Sequence, residues 1–212
     1  MDGGSTEIAR IGPNAIFQLV PVLDRVIGNR ARRGLFVEAG VALPPPDAGM
    51  LPETEVIRLH RSLWFWLPTL APEMLRTAGL ATADYILANR IPVLAQRAIR
   101  LMPAPVAARV LARAIAGHAW TFAGSGQFVV EGFGPLTLAI RHNPLATGPS
   151  ERPGCHWHAA VFERLFSALV WPAVDVSETS CCATGDRLCR FTITRRKAAN
   201  SALDRLENVS QS

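Results

Sequence analysis

Three of the chain's four cysteines fall within twelve residues, ETSCCATGDRLC, from Glu178 to Cys189. Gly185 stands four residues after Cys181 and four before Cys189. A turn at that glycine brings the two thiols side by side, and Glu178, just upstream on the first arm, reaches the same point. Cys155 lies earlier, at the head of a segment with helical spacing, and closes the group if that helix packs against the hairpin end. Three thiolates and a carboxylate suit a tetrahedral zinc ion. With four protein donors there is no open position, so the role of such an ion is structural. Spacing alone leaves a second reading open, because there is no CxxC pair and buried thiols also serve as small apolar side chains. Cys182 follows Cys181 on what reads as a strand, so its side chain is expected on the opposite face, in the core. His156 and His158 neighbour Cys155, but nothing in the sequence assembles a base, an acid and an oxyanion hole for a catalytic cysteine.

The elements that must position this group follow from periodicity and from proline and glycine. Residues 173–180 and 188–195 read as the two strands of the hairpin, joined by Ala183-Thr184-Gly185-Asp186. Residues 155–171 carry Trp157, Val161, Leu165 and Leu169 at helical spacing. Before them, 127–132 and 136–142 alternate as strands, and 143–154 is a loop. The first half is helical: 12–29, with Pro21 expected to kink it, then 31–40, 53–67, 72–89, 92–101 and 104–119, with prolines as starts and stops. The order is helices, then strand-strand-helix-strand-strand, which predicts an α+β fold. Residues 1–120 form its helical part, 121–197 the core with the hairpin, and 198–212 a polar tail.

Composition allows a full core: 49% of the 212 residues are apolar and only 18% are charged. A formal charge of +5 would suit an acidic ligand or anionic surface, but no nucleic-acid-reading motif accompanies it, so no nucleic-acid partner is expected. The first ten residues lack the order of a signal peptide. The longest uncharged stretch, 114–130, is shorter than the roughly 20 residues of a spanning helix. A cytoplasmic location is the expectation, and there thiols stay reduced.

The pattern Glu178-x-x-Cys181-x-x-x-Gly185-Asp186-x-x-Cys189-x-Phe191, with Cys155 upstream, resembles the vinyl-4-reductase domain family, small-molecule-binding domains of bacterial sensors and of tetrapyrrole biosynthesis. In sensor members one cysteine before a helix, a glutamate and two hairpin cysteines bind zinc beside the ligand pocket. By that resemblance the zinc ligands are Cys155, Glu178, Cys181 and Cys189. The segments RIGPNAIFQL, RHNPL and CHWHAAVFERLF are similar to the J-protein branch of the family, from bacteriochlorophyll biosynthesis in photosynthetic bacteria. Members of that branch are commonly named 8-vinyl (4-vinyl) reductases of divinyl protochlorophyllide or chlorophyllide. The resemblance implies a magnesium tetrapyrrole as ligand, other enzymes of bacteriochlorophyll biosynthesis as partners, and a homodimer, since sensor relatives pair through this domain.

The sequence shows little equipment for reduction. Gly124-Ser125-Gly126 and Gly132-Phe133-Gly134 complete no GxGxxG, and each lies at a strand rather than opening a helix. Cysteines committed to a metal leave none for an iron–sulfur cluster. A carrier or chaperone that assists 8-vinyl reduction therefore fits better than the reductase itself, which would need a donor site not visible here. A flat macrocycle wants aromatic walls, a basic group for its propionate and a histidine for its metal. Trp64 and Trp66 in LWFWL, and Trp120, Phe122, Phe128 and Phe133 further on, offer walls. His60, His118 and His142 offer metal-facing imidazoles, and Arg58, Arg61 and Arg141 offer cations. Many of these aromatics would equally serve as core. Trp64 and Trp66 could instead rest at a membrane surface, placing the protein peripherally on the cytoplasmic membrane.

Overall fold

A computed structural model describes residues 8–196; the polar tail expected at 198–212 lies outside the described residues. Eight helices come first: α1 (Asn14–Phe17), α2 (Val20–Val26), α3 (Gly28–Glu38), α4 (Glu53–Trp66), α5 (Ala71–Asn89), α6 (Val93–Leu101), α7 (Ala104–Gly117) and α8 (Trp120–Ala123). Prolines punctuate them for the expected reason, since proline fits a first turn whose N–H has no partner anyway. Pro52, Pro92 and Pro103 are the N-cap residues of α4, α6 and α7, and Pro72 and Pro105 stand in the first turns of α5 and α7. The helix expected over 12–29 is corrected to two, because Pro21 sits in the first turn of α2 and supplies no N–H to continue from α1. Two short features escaped the periodicity: α8, and a two-residue ladder of β1 (Arg10–Ile11) against β2 (Leu51–Pro52).

The second half is a four-stranded antiparallel sheet in the order β3-β4-β6-β5, from β3 (Gln127–Phe133), β4 (Leu136–Arg141), β5 (Val174–Ser180) and β6 (Leu188–Arg195). Helix α9 (His156–Leu169) covers its inner face, and α5 packs across α9. Leu138 and Ile140 of β4, and Cys189, Phe191 and Ile193 of β6, point inward at period two, and meet Phe162 and Phe166 of α9. The Phe162 and Phe191 rings meet edge to face at 5.3 Å. Buried side chains from both halves form one continuous core. Arg76 of α5 forks onto Glu163 of α9 at 2.6 and 3.1 Å, fixing their relative rotation.

Two histidines lie in this core. His60 donates from Nε2 to the Ala15 carbonyl at 3.1 Å, and His158 from Nε2 to the Phe122 carbonyl at 3.2 Å. Burial disfavours the charged ring in both and pushes His158 down to about 4 from 6.5. Between those values the unfolded chain takes up a proton that folded His158 refuses. Its contribution is complete above pH 6.5 and is lost as pH falls, on the order of 3 kcal/mol by pH 4. Urea midpoints are expected to drop between pH 7 and 5, and His158→Gln, which keeps a donor for Phe122, is expected to flatten that slope. An unchanged slope in the variant would remove His158 as the cause.

Candidate metal centre and ligand cleft

The hairpin that carries the thiols is built by local chemistry. Strand β5 ends at Ser180, and Cys182–Thr184 form one 3-10 turn. Gly185 closes it at φ 92°, a left-handed conformation that glycine adopts without strain. The Asp186 carboxylate accepts from the Cys181 N–H at 2.9 Å and the Thr184 hydroxyl at 3.1 Å, knitting the turn together. A bulge between Glu178 and Ser180 adds one residue to β5. Glu178 pairs in register with Phe191 and lies beside the thiols. Cys155 is the N-cap residue of α9, and its N–H donates to Glu178 Oε2 at 2.8 Å.

The four donors converge. One ligand atom from each of Cys155, Glu178, Cys181 and Cys189 lies within 4.8 Å of all the others. The sulfur separations are 3.4 Å (Cys155 to Cys189), 3.7 Å (Cys155 to Cys181) and 3.9 Å (Cys181 to Cys189). All three thiols are buried and none is in a disulfide. Asn143 Nδ2 donates to Cys155 Sγ and Cys189 Sγ, both at 3.4 Å, and the Cys182 N–H donates to Cys189 Sγ at 3.3 Å. Donors aimed at sulfur stabilise thiolate charge, as the outer groups of metal sites do.

Electrostatics shows what the group lacks by itself. Hydrogen bonds to Cys181 and Cys189, then burial, push the Cys155 thiol well up, while Cys181 is pulled down by hydrogen bonds from Cys155 and Cys189. Burial raises Glu178 to about 8. Three sulfurs and a carboxyl cannot all ionise together in so small a volume without a cation. Glu178 Oε1 is buried with no hydrogen-bond partner among the described residues, on the side chain whose other oxygen holds the Cys155 N–H. The donor set, its convergence and that orphaned oxygen all fit a divalent, thiophilic ion such as zinc.

Cys182 is corrected in position. It opens the 3-10 turn rather than continuing a strand, and it serves Cys189 through its backbone N–H. The turn starts there because Asp186 and Thr184 capture the backbone of Cys181. Asn143 and Asp186 are the supporting residues that sequence reasoning gave no role. The signals for them were RHNPL, an Asn before a proline, and an Asp directly after the turn glycine. Asn143→Leu, which removes two N–H···S contacts, is expected to weaken metal binding by about 10–100-fold in a competition titration with a chelator. Unchanged affinity would make Asn143 a loop residue only, through its bond to the Leu145 N–H.

The loop between β4 and α9 runs from the metal centre to a cleft of about 580 Å³ against α4. Trp64, Phe65 and Arg61 line one side and Thr147, Gly148 and Arg152 the other. Trp64 is buried, whereas Phe65 and Trp66 are 74% and 55% exposed. The remaining candidates do not line this cleft. His60 is in the core. His118 is exposed, with Nδ1 against the Ala114 carbonyl at 2.9 Å. Trp120, Arg141 and His142 are exposed, Arg141 and His142 at the end of β4. A second cleft of about 300 Å³ lies at the far end of the sheet, where Arg109 sits 5.1 Å over the Phe133 ring.

Residues 136–195 match the vinyl-4-reductase domain. Over 194 residues the chain is 58% identical to the bacteriochlorophyll synthase 23 kDa chain of Cereibacter sphaeroides, covering 91% of this chain and 94% of that one. The chain belongs to the bacteriochlorophyll synthase 23 kDa chain family. The Rhodobacter capsulatus member is 53% identical over 184 residues, covering 87% and 86%. The family's fold extends beyond close relatives. The Fe(II) unliganded H-NOX protein from K. algicida superposes with a TM-score of 0.60 at 13% identity, over 89% of this chain and 98% of that one. A structure from work on heme distortion in the H-NOX family gives 0.52 at 9% identity, over 89% and 97%. At such identities the likeness is one of fold.

Proposed function

We propose that the chain serves bacteriochlorophyll biosynthesis by binding a magnesium tetrapyrrole intermediate, divinyl protochlorophyllide or chlorophyllide, as a carrier or chaperone for its 8-vinyl reduction. The observation that carries the reading is one of combination. A family named for bacteriochlorophyll synthesis has, over about nine-tenths of the chain, a fold shared with proteins whose heme, a tetrapyrrole, is named in their study. The site chemistry supports binding more than electron transfer. Three of the four cysteines converge in one metal group. The glycine pairs 124/126 and 132/134 flank the two ends of β3 and open no helix that could cradle a dinucleotide. Zinc held by Cys155, Glu178, Cys181 and Cys189 would supply a structural cross-link between the hairpin and the head of α9.

Two surfaces support assembly. No helix among the described residues is long and apolar enough to cross a membrane. Phe65 and Trp66, edge to face at 5.0 Å, with Leu70 beside them in sequence, favour peripheral contact with a bilayer interface. Val93, Leu94 and Leu101 leave an apolar face of α6 exposed, which favours a homodimer.

A pigment-making host without this chain is expected to make less bacteriochlorophyll and to accumulate divinyl intermediates, but only in part, because a separate enzyme still reduces the vinyl group. Complete loss of 8-vinyl reduction, restored by this chain alone in a purified system, would make it the reductase.

A further inference from the structure

The cleft between α4 and the loop ahead of α9 has properties that core packing does not require. Its volume of about 580 Å³ lies within the roughly 300–1,000 Å³ of small-molecule sites. One wall is aromatic, from Trp64 and Phe65. Two guanidiniums, Arg61 and Arg152, stand on its lining, and neither is in an ion pair among the described residues, although all of Arg32, Arg76, Arg164, Arg190 and Arg196 are. Glu151 lies on the same rim, so the cleft carries two positive groups against one negative. Thr147 also lines it, and its hydroxyl oxygen is shielded from solvent with no hydrogen-bond partner among the described residues. A buried hydroxyl left unpaired is costly, and a ligand oxygen would relieve it.

The loop wall is also held in place. Side chains at Gly148 and Gly154 would have to share the space between the two backbones and the Trp64 indole. A Cβ on Gly154 would lie 3.2 Å from Gly148 Cα and 3.5 Å from Trp64 Cζ2. The next residue, Cys155, is a donor of the metal centre. The cleft therefore stands preformed, with one wall anchored to the thiol cluster, and a preformed site loses less freedom on binding.

We propose that this cleft takes the carboxylate-bearing edge of a planar tetrapyrrole. Trp64 and Phe65 contact the ring edge, Arg61 and Arg152 meet the propionate, and the Thr147 hydroxyl bonds to an edge oxygen. The proposal rests on the tetrapyrrole-binding reading and adds its location and its anchor. Arginine suits the anchor because its fork meets a carboxylate through two N–H donors. An esterified edge would keep the stacking and lose the ion pair, so the site selects the free acid.

Zinc-loaded full-length protein is titrated with protoporphyrin IX and, separately, with its dimethyl ester, following the Soret band and tryptophan quenching. Arg61→Ala and Arg152→Ala are each expected to weaken binding of the diacid about tenfold. The ester should bind the unaltered protein about as weakly and be indifferent to either change. Thr147→Val should weaken the diacid severalfold. Arg61 and Arg152 are exposed, so zinc content and melting midpoint serve as folding controls. Tight diacid binding that ignores both arginine changes would overturn the cleft and leave the carrier reading standing. Equal affinity for acid and ester would overturn the carboxylate anchor. If neither porphyrin binds and divinyl protochlorophyllide does not bind either, the cleft and the carrier reading fall together.

Discussion

Cys181→Ser and Cys189→Ser are each expected to take the purified protein from about one zinc per chain to almost none, and to lower its melting midpoint. The ion would bind three sulfurs and an oxygen gathered within 4.8 Å, from three places in the chain: the cap of α9, the end of β5 and the start of β6. Removing one thiolate leaves two buried sulfurs and a buried carboxyl with no cation to share. The fold should survive, because the core extends through both halves of the chain, but the hairpin end and the loop ahead of α9 should loosen. Cys182→Ser should change neither quantity, since its side chain lies outside the cluster. Loading should also depend on pH in a defined sense. Without metal, Cys155 and Cys189 hold their protons and burial raises Glu178 to about 8, so the ion must displace protons. Zinc affinity therefore falls as pH is lowered from 8 to 6, and binding releases protons to a weak buffer. Elemental analysis of chelator-free protein showing no metal would remove the centre altogether.

The second large effect is expected at Gly79, in the face of α5 that meets α9. A Cβ there would lie 2.8 Å from Ala160 Cβ and press on the Trp157 carbonyl, and a backbone carbonyl cannot rotate away as a side chain would. Gly79→Ala should cost about 2–3 kcal/mol by forcing the two helices apart. For a domain of this size that is a fall of about 5–10 °C in melting midpoint. Gly34→Ala, in α3 with open space around its Cα, is the control and should be neutral or stabilising by up to about 1 kcal/mol. The displacement should also reach the metal centre, because Trp157 follows the Cys155 cap by two residues. Equal midpoints for the two variants would mean that α5 and α9 are less closely packed than this contact implies.

Gly79 illustrates what a sequence withholds. A glycine within a helical pattern reads as a weakness, and only the approach of a helix more than 70 residues away in the chain gives it a purpose. The metal donors were legible because most of them crowd one hairpin, where a turn glycine fixes their convergence. The sheet and most helices were legible too, through period-two alternation and proline punctuation. Asn143 and the Cys182 N–H were not, since their roles exist only where the β4–α9 loop crosses the hairpin. In LWFWL, alternation cannot tell which indole is buried; helix α4 turns Trp64 inward against Gly148 and Gly154 and leaves Trp66 outside. His60, attractive as a metal-facing imidazole, turns to the Ala15 carbonyl, a partner that depends on how α1 packs. Arg152 and Thr147 gained a role only when the loop carrying them was seen to face α4.

The central claim is that this chain binds a pigment intermediate and does not itself reduce it. Its most direct test is a titration of the purified, zinc-loaded protein with divinyl protochlorophyllide, first alone and then with NADPH. The account predicts a saturable shift of the pigment's Soret band at one pigment per chain, with affinity in the micromolar range or tighter, and no conversion to the monovinyl product above background when NADPH is added. Steady formation of monovinyl product, or no spectral shift at any pigment concentration, would contradict it.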